Sequence, residues 1–520
     1  MKTDSSDKKD IMKKNIKKLV YAGILTLVIA IACDKKLNVL DNNSPTQESY
    51  FKTAAELQNG VNAIYSNLRS GRLVGREWFF IHDMRGGETS SGGVQLEQPR
   101  AELLTQPKPS EVNAVMTDVW RGCYNMINRA NLVLAKAPGV TDNTTLRDRL
   151  VGEAKFLRAW AYFELVSQWG ENIPMYTEPV TSSTGFKGKE PANTIYTLIV
   201  SDLTDAIAKL PTSYTGSDLG RATKYAAYAM LGRVQMQKGD YAAAKTALLQ
   251  VYGKFSLVPN FLWNFDGDLN DGGGTTASGH EYNSESVFEV SFFDKGDNNF
   301  NWAYTGEGSS TPVSTMRPQE YGIVWGNVIP SDRILNEFEA GDPRYKFTFW
   351  EEGDHILTKG GTQTGVVMTE PDMNVAASTK GGVKIKRVYR KYSDLDWLKS
   401  GFHPGGFNQR IIRYADVLLM LAECEAEVGT PAQAAAYINE VRDRPSVMMP
   451  HVTLGSKNEA LKAVMHERAV ELAGEEVASI DILRWRKKGY FPSIILDPKP
   501  GQIEFFPIPL AETSTNPAIK

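Results

Sequence analysis

The chain has 520 residues, 42% of them hydrophobic, so it is long enough to bury a substantial core. Its 58 lysines and arginines nearly balance its 61 aspartates and glutamates, which leaves a net charge of -3. A chain this close to neutral lacks the bulk positive charge that draws proteins to nucleic acid, and we expect no nucleic-acid partner. The composition indicates a globular protein.

The amino-terminal segment has the pattern of an export signal. Four lysines precede an apolar run from Leu19 to Ala32, and Cys33 follows this run directly. The run is shorter than the roughly 20 apolar residues that a membrane-spanning helix needs. Its end reads Ala-Ile-Ala-Cys, which resembles the lipobox of bacterial lipoproteins. A signal of this kind indicates export and attachment to a membrane by a lipid.

We therefore expect a lipoprotein signal peptide at residues 1–32, lipidation at Cys33 and a polar tether at 33–45. A secretory peptide followed by an incidental cysteine, or an uncleaved signal anchor, are the alternatives. Met1 and Met12 are both candidate start residues, because the polar stretch before Met12 adds nothing to a signal.

Two further cysteines, Cys123 and Cys424, fall within apolar helical patterns. Unpaired cysteines are among the most buried residue types and pack as small hydrophobes. We therefore expect two buried free thiols. A disulfide between them is the alternative.

Helical patterns dominate residues 46–252. Apolar residues recur there at helical spacing, and capping residues or glycines mark the ends. Ahead of the hairpin described next, helices are predicted at 53–70, 111–136, 145–169 and 191–210. Between the first two of these helices, residues 71–110 show no regular period. We expect a long ordered loop in that interval, of the kind that often carries function.

Residues Gly220 to Leu249 form the clearest pattern of the chain, two short helices folded back on each other. Thr223 and Asp240 are suited to cap these helices, and Gly239 ends the first. Both helices carry apolar residues at positions i, i+3, i+4 and i+7, so their stripes face a shared seam. This pattern is typical of tetratricopeptide-type hairpins, which more often present surfaces than carry out chemistry.

The helical period is lost between residues 253 and 409. Short runs at 286–292 and 384–389 have the composition of strands, and one short helix is predicted at 331–339. A structureless loop of this length is implausible in a compact domain. We therefore expect a subdomain of short strands and ordered loops.

Helices resume in residues 410–520, with a second hairpin on either side of Thr430 and Pro431. Two more helices are predicted at about 458–472 and 480–487. The fold class is therefore mainly α. Tetratricopeptide-like helical hairpins form a bundle that carries the irregular insert of short strands and loops, and the whole is expected to be one compact domain.

The sequence contains no catalytic or metal-binding motif. His466 and Glu467 lie on a predicted helix, but Val470 stands where a zinc-binding His-Glu-x-x-His motif needs its second histidine. Phosphate-binding and nucleophile-elbow glycine patterns are also absent. We expect no enzymatic activity and no cofactor. A structural cation near Asp266 and Asp268 is the alternative to a capped acidic turn, because this stretch is similar to the opening of a calcium loop.

Short stretches spread over nearly the whole chain occur in a distinctive order. They include Gly152 to Ala159, Arg221 to Arg233, Arg413 to Leu419, Asn439 to Arg442, and Pro507 to Pro509. No single stretch is specific, but the ordered set resembles the SusD/RagB family, surface lipoproteins of Bacteroidota.

The resemblance implies both a fold and a role. The fold is a scaffold of tetratricopeptide-like hairpins with a less regular region. The role is capture of oligosaccharides at the outer membrane, as a lipid-anchored partner of a SusC-like TonB-dependent transporter at the cell surface. Capture of peptides by the same architecture, as in the RagB branch, is one alternative. A structural transporter partner without its own ligand site is another.

Two regions carry the flat rings and planar polar groups that suit neutral sugars. In the family, glycan contacts often come from these same regions, one after the first helix and one in the insert. The alternative is that the rings anchor loops against the scaffold. The candidate ligand-binding residues are Arg76, Trp78, Asp83, Phe300, Asn301, Trp302, Tyr304, Tyr321 and Trp325.

Overall fold

Paired helices make up most of the structure. The computed structural model describes residues 12–18, 50–180, 185–266, 280–293, 314–322, 325–357, 363–369, 373–392 and 405–519. In the leading segment, residues 12–18 are helical, and from Thr53 onward the chain forms one compact unit. The predicted lipidation site, Cys33, lies outside the described residues and stays a prediction. None of the helices in the described part of the chain has both the length and the apolar character that a bilayer span requires.

The helices of the compact unit are α1 (Ala54–Leu68), α2 (Glu77–Asp83), α3 (Gln98–Thr105), α4 (Ala114–Lys136), α5 (Thr144–Trp169), α6 (Ala192–Lys209), α7 (Lys224–Lys238), α8 (Tyr241–Leu248), α9 (Arg317–Tyr321), α10 (Asp332–Glu337), α11 (Arg344–Thr348), α12 (Tyr414–Val428), α13 (Pro431–Arg442), α14 (Lys457–Leu472), α15 (Ala478–Lys487) and α16 (Leu510–Thr515).

The strands are β1 (Thr89–Ser91), β2 (Ser286–Val290), β3 (Val328–Pro330), β4 (Phe349–Glu351), β5 (His355–Leu357), β6 (Gln363–Val367), β7 (Ala377–Lys380), β8 (Val383–Tyr389) and β9 (Gln409–Arg413).

Successive helices pack against one another along the chain. Helix α1 contacts α4 and α5, and the series continues through α5 with α6, α6 with α7, and α7 with α8. Helix α8 then contacts α12, which packs on α13 and α14. The predicted mainly α fold is confirmed, and the two hairpins of the sequence, α7–α8 and α12–α13, belong to one continuous helical layer.

The caps of the first hairpin are those that its sequence predicts. Thr223 Oγ1 accepts a hydrogen bond from the Ala226 amide at 3.1 Å, and Asp240 Oδ1 accepts one from the Ala243 amide at 3.0 Å. Gly239 ends α7 in a left-handed conformation, with φ at 87°. Local capping chemistry therefore accounts for both ends of the turn.

Residues 71–110 differ from the prediction of a long loop, because they contain α2, β1 and α3. All seven residues of α2 are buried. A short helix that is buried on every side shows no amphipathic period, so periodicity could not reveal it.

The insert is a set of small antiparallel sheets, as the sequence predicts. Strand β1 pairs with β3 and β2 with β9, while β4, β8 and β7 form a three-stranded sheet and β5 pairs with β6. The predicted strands correspond to β2 and β8, and the predicted short helix corresponds to α10. Strand β9 leads directly into α12, so the β2–β9 pair joins the insert to the helical layer.

A buried network of ion pairs holds this joint. Arg413, the last residue of β9, donates from Nη1 to Glu285 and to Glu471, each at 2.7 Å, and from Nε to Glu475 at 2.6 Å. Arg444 bonds to the same Glu285 and Glu471 at 2.6 and 2.8 Å. All five side chains are buried, so each charge depends on its partners rather than on water.

The network changes the protonation of its carboxylates. Burial alone would raise the pKa of Glu285, but the Arg444 and Arg413 guanidiniums outweigh it and lower this pKa to about 2. Arg413 and Arg444 likewise hold the pKa of Glu471 below its ordinary value against the effect of burial. Both carboxylates therefore stay charged in the folded protein well into the acid range.

The two remaining cysteines also match the prediction. Cys123 and Cys424 are buried and free, in α4 and α12 respectively. Burial raises the pKa of both thiols, so neither is an activated nucleophile.

Gly232 sets the spacing of the α7–α8 hairpin. A Cβ at this position would lie 2.5 Å from Leu248 Cγ, so Gly232→Ala must push the two helices apart. We expect it to lower the free energy of unfolding by about 1–3 kcal/mol, measured by urea denaturation. Gly139→Ala is the control, because a Cβ there meets no atom within 4 Å and should leave the midpoint unchanged. Equal midpoints for both variants would contradict close packing at Gly232.

Acid should destabilise the fold through Glu285. Its folded pKa of about 2 lies below the ordinary value of 4.5, so the unfolded chain binds more protons than the folded one between these pH values. The charged Glu285 carboxylate therefore contributes on the order of 3 kcal/mol to the free energy of unfolding above pH 4.5. This contribution is lost as the pH falls toward 2. Urea denaturation at pH 6, 4 and 3 measures this loss of stability. The Glu285→Gln variant should be less stable than the wild type at pH 6, and its free energy of unfolding should fall less with pH. If it fell as much as in the wild type, Glu285 would not be the group responsible.

Candidate functional site

Three surface segments meet where strand β1 ends and strand β3 begins. The Gly92 amide donates to the Asn327 carbonyl at 2.9 Å. Gln95 Nε2 donates to the carbonyls of Trp325 and Asn374, at 3.1 and 3.2 Å. These bonds tie together residues 92–97, 325–327 and 374–376, which we call the Gln95–Trp325 junction.

Arg76 is fixed beside this junction by a buried carboxylate. Its Nε and Nη2 donate to Glu320 Oε1 at 2.8 and 2.6 Å, and Nη2 lies 3.4 Å from Glu97. The other oxygen of Glu320 accepts a short hydrogen bond from Asn327 Nδ2. Because Asn327 belongs to the junction, Glu320 orients both the guanidinium and the loop. The Arg76 side chain keeps 11% of its surface exposed.

Trp325 is a partly exposed aromatic residue of the junction. Its carbonyl is held by Gln95 at 3.1 Å, which fixes the backbone from which the indole projects. Of the predicted ligand residues that the structure describes, Arg76 and Trp325 keep exposed surface beside this junction.

Three other predicted ligand residues lie inside the protein, which corrects the prediction of direct contact for them. Trp78 is 4% exposed and packs against His82 and Trp160, with ring centroids 5.2 and 6.3 Å apart. Asp83 and Tyr321 are likewise buried. In this arrangement none of the three offers an accessible face to a ligand, because Trp78 and its neighbours form the core beneath the surface.

The interior position of Asp83 is visible in its electrostatics. Burial raises the pKa of the Asp83 carboxyl, although Arg317, 3.4 Å away, opposes this shift. Burial and the nearby Asp83 also raise the pKa of Glu88 to about 8. Glu88 is therefore mostly uncharged at neutral pH, and these carboxyl groups do not present charge to the surface.

Phe300, Asn301, Trp302 and Tyr304 lie outside the described residues, so their predicted ligand role stays a prediction. The described backbone on the carboxyl-terminal side of that interval is anchored beside Arg76. There the Met316 amide donates to the Gly75 carbonyl at 3.1 Å. The insert thus returns to the scaffold next to the Gln95–Trp325 junction.

A serine, a histidine and a glutamate meet beneath this region. His82 Nδ1 lies 2.9 Å from Ser479 Oγ, and His82 Nε2 lies 2.7 Å from Glu164. These are the side-chain types of a nucleophilic triad. All three are buried, at 2%, 0% and 3% exposure for Ser479, His82 and Glu164, so a substrate has no access to the hydroxyl. The cluster therefore satisfies polar groups in the core.

The possible cation position is partly outside the described residues, since Asp268 is not among them. Asp266 is described and buried, and its Oδ1 lies 2.9 Å from His280 Nδ1. Within the described residues, no group of three or more histidine, cysteine, aspartate or glutamate side chains is arranged to hold a metal ion. His280 is therefore the observed partner of the Asp266 carboxylate.

Sequence reasoning missed Gln95, Glu320 and Asn327, which organise the junction. Their partners lie far away along the chain: Arg76 and Glu320 are separated by 244 positions. The turn signal that could have located the loop more closely is Gly92 and Gly93, directly after Ser90 and Ser91.

Two family models match this chain in succession. A model described as starch-binding and associating with the outer membrane matches residues 40–236, and the model of the SusD family matches residues 284–520. Among characterised sequences, SusD-like protein P25 of Formosa agariphila is 25% identical, and the match covers 96% of this chain and 97% of that protein.

Solved structures share the fold. A SusD superfamily protein from Bacteroides vulgatus superposes with a TM-score of 0.71 at 23% identity, covering 91% of this chain and 99% of its own. A laminarin-binding SusD-like protein superposes with a TM-score of 0.69 at 24% identity, covering 90% of this chain and 99% of its own. The two family models match both halves of the chain, and the Formosa agariphila relative matches nearly its full length, in agreement with the helical hairpins and the insert. The chain belongs to the SusD-like family.

Proposed function

We propose that this chain captures oligosaccharides at the outer membrane and delivers them to a SusC-like TonB-dependent transporter. The description of the amino-terminal family model, which names starch binding and the outer membrane, supports this proposal. So does the fold shared with a protein that binds laminarin. The chain acts in this proposal as a binding protein rather than as an enzyme.

The observation that carries the proposal is that Arg76 and Trp325 each keep exposed surface beside the Gln95–Trp325 junction. A partly exposed indole suits the C–H face of a sugar ring, and a planar guanidinium donates to sugar hydroxyls. Before a ligand arrives, Glu320 holds the Arg76 guanidinium at 2.6 Å and Gln95 holds the Trp325 carbonyl at 3.1 Å. A surface of this kind loses little conformational entropy on binding.

A neutral ligand suits this surface better than a charged peptide. Arg76 pairs with Glu320 and Glu97, and Arg100 pairs with Glu77 and Glu97. Because these charges neutralise one another within the protein, they form no dedicated clamp for a peptide terminus. Capture of peptides remains the competing proposal, and the same binding experiment separates the two.

Trp325→Ala should weaken oligosaccharide binding. Removal of the stacking ring is expected to raise the Kd for laminarihexaose or maltohexaose by about 10-fold or more, measured by calorimetry on a soluble form that lacks residues 1–33. Trp302→Ala tests the second predicted region in the same way.

Trp263→Ala provides the matched control, because Trp263 is also partly exposed but stacks on His280 at 4.5 Å, away from the junction. Its Kd should stay within twofold of the wild type. The proposed site is wrong if Trp325→Ala and Trp302→Ala both leave the Kd unchanged. Binding of peptides but of no oligosaccharide would overturn the proposed ligand class.

Cys33→Ser should release the protein from the membrane. We propose that the Cys33 thiol carries the lipid, and the loss of an acyl anchor removes about 0.8 kcal/mol per buried CH₂. Fractionation of cells should move the protein from the membrane pellet to the soluble exported fraction, and labelled fatty acid should no longer be incorporated. A variant that stays in the pellet with its label would show that the anchor lies elsewhere.

A further inference from the structure

Two adjoining cavities lie along strand β2, and no residue of the Gln95–Trp325 junction lines either of them. Their volumes are about 540 and 250 Å³. Leu219, Gly220, Arg221, Phe288 and Glu289 line both, so the two cavities adjoin along a shared wall, and together we call them the β2 groove. The larger cavity alone is within the roughly 300–1,000 Å³ range of small-molecule sites.

The wall of the larger cavity combines aromatic rings with neutral polar groups. Tyr214, Phe255 and Tyr282 are each partly exposed there. Ser213 and Ser284 add exposed hydroxyls to the same wall. Flat rings beside hydroxyl groups are the chemistry that recognises neutral sugars.

The charged side chains of the shared wall are already matched within the protein. Arg221 donates from Nη1 to Glu153 at 2.9 Å, from Nε to Asp218 at 2.7 Å and from Nη2 to Asn62 at 2.7 Å. An arginine satisfied in this way does not require an anionic ligand.

Glu289 is matched in the same manner. Its Oε1 accepts hydrogen bonds from the Tyr282 amide and from Asn408 Nδ2, both at 2.8 Å, and Arg410 lies 3.3 Å from its Oε2. Lys254 stands at the rim and is exposed to water. The charged residues of the shared wall are thus paired within the protein, which favours an uncharged ligand over a charged one in the larger cavity.

Tyr282 is held in the groove by a strained backbone. Its φ is 51°, a left-handed conformation that is uncommon for a residue other than glycine. Its hydroxyl forms a short hydrogen bond with Ser291 Oγ. A Cβ at Gly220 would lie 3.0 Å from both of these oxygen atoms, so the glycine leaves room for the tyrosine to cross the shared wall. Strain maintained by such specific contacts is typical of functional positions.

We propose that the β2 groove is a second carbohydrate-binding site, which takes a neutral oligosaccharide across Tyr282, Tyr214 and Phe255. The inference rests on the proposed function for its ligand class, but it assigns a site apart from the Gln95–Trp325 junction. A chain with two separate sites holds a polysaccharide more tightly than either site alone, because the second contact is intramolecular.

Calorimetry of the detergent-solubilised full chain with laminarihexaose and with maltohexaose tests the proposal. We expect two binding events for at least one of these sugars. Phe255→Ala and Tyr214→Ala should each weaken one event by roughly 10-fold. Ser213→Arg, which adds a long side chain at an exposed wall position, should block the same event without removing any core contact. Phe186→Ala, at an exposed ring that does not line the groove, should leave both binding events unchanged. Thermal melting verifies that each variant folds.

The outcomes separate this inference from the proposed function. Sugar binding that is lost in Trp325→Ala or Trp302→Ala but unchanged in all three groove variants would overturn the groove and keep the function. Sugar binding that only the groove variants weaken would support the groove and overturn the junction as the site. If the wild type binds no sugar but binds a neutral oligopeptide that Ser213→Arg blocks, the groove holds peptide, and both proposals of a carbohydrate ligand are wrong.

Discussion

The buried pairing of Arg413 with three carboxylates decides where the insert sits. Glu285 precedes β2, Glu471 lies on α14, and Glu475 follows that helix, so one guanidinium joins three separate parts of the chain. A buried charge without partners would cost several kcal/mol, so the folded state is much more stable with these parts together than apart. Since β9 ends at Arg413, the network also places β2, and with it the groove that follows the strand.

Local signals in the sequence accounted for most of the helical layer. Thr223 and Gly239 lie where the ends of α7 require them, and each acts within a few residues of its own position. The same holds for Thr430, whose side chain accepts a hydrogen bond from the Gln433 amide at the start of α13. Helical hairpins of this kind are readable because their caps and stripes depend on neighbours along the chain.

The candidate site was less predictable because burial depends on distant partners. Trp78 and Trp325 are both tryptophans in stretches without a helical period, yet the first is 4% exposed and the second is partly exposed. What separates them is α2, a fully buried helix that packs on α4 and α15, and no periodicity reveals it. The β1–β3 pairing, which builds the junction, joins residues more than two hundred positions apart. Such non-local contacts have no signature in a single sequence.

The junction is held chiefly through main-chain atoms. Gln95 donates to the carbonyls of Trp325 and Asn374, and the Ala376 amide donates to the Gly92 carbonyl at 2.6 Å. A carbonyl is present whatever side chain its residue carries, so exchange of the side chains at positions 325 and 374 leaves these bonds in place. The loop frame is thereby independent of the side chains at these two positions, so a substitution there changes the surface and leaves the frame unchanged.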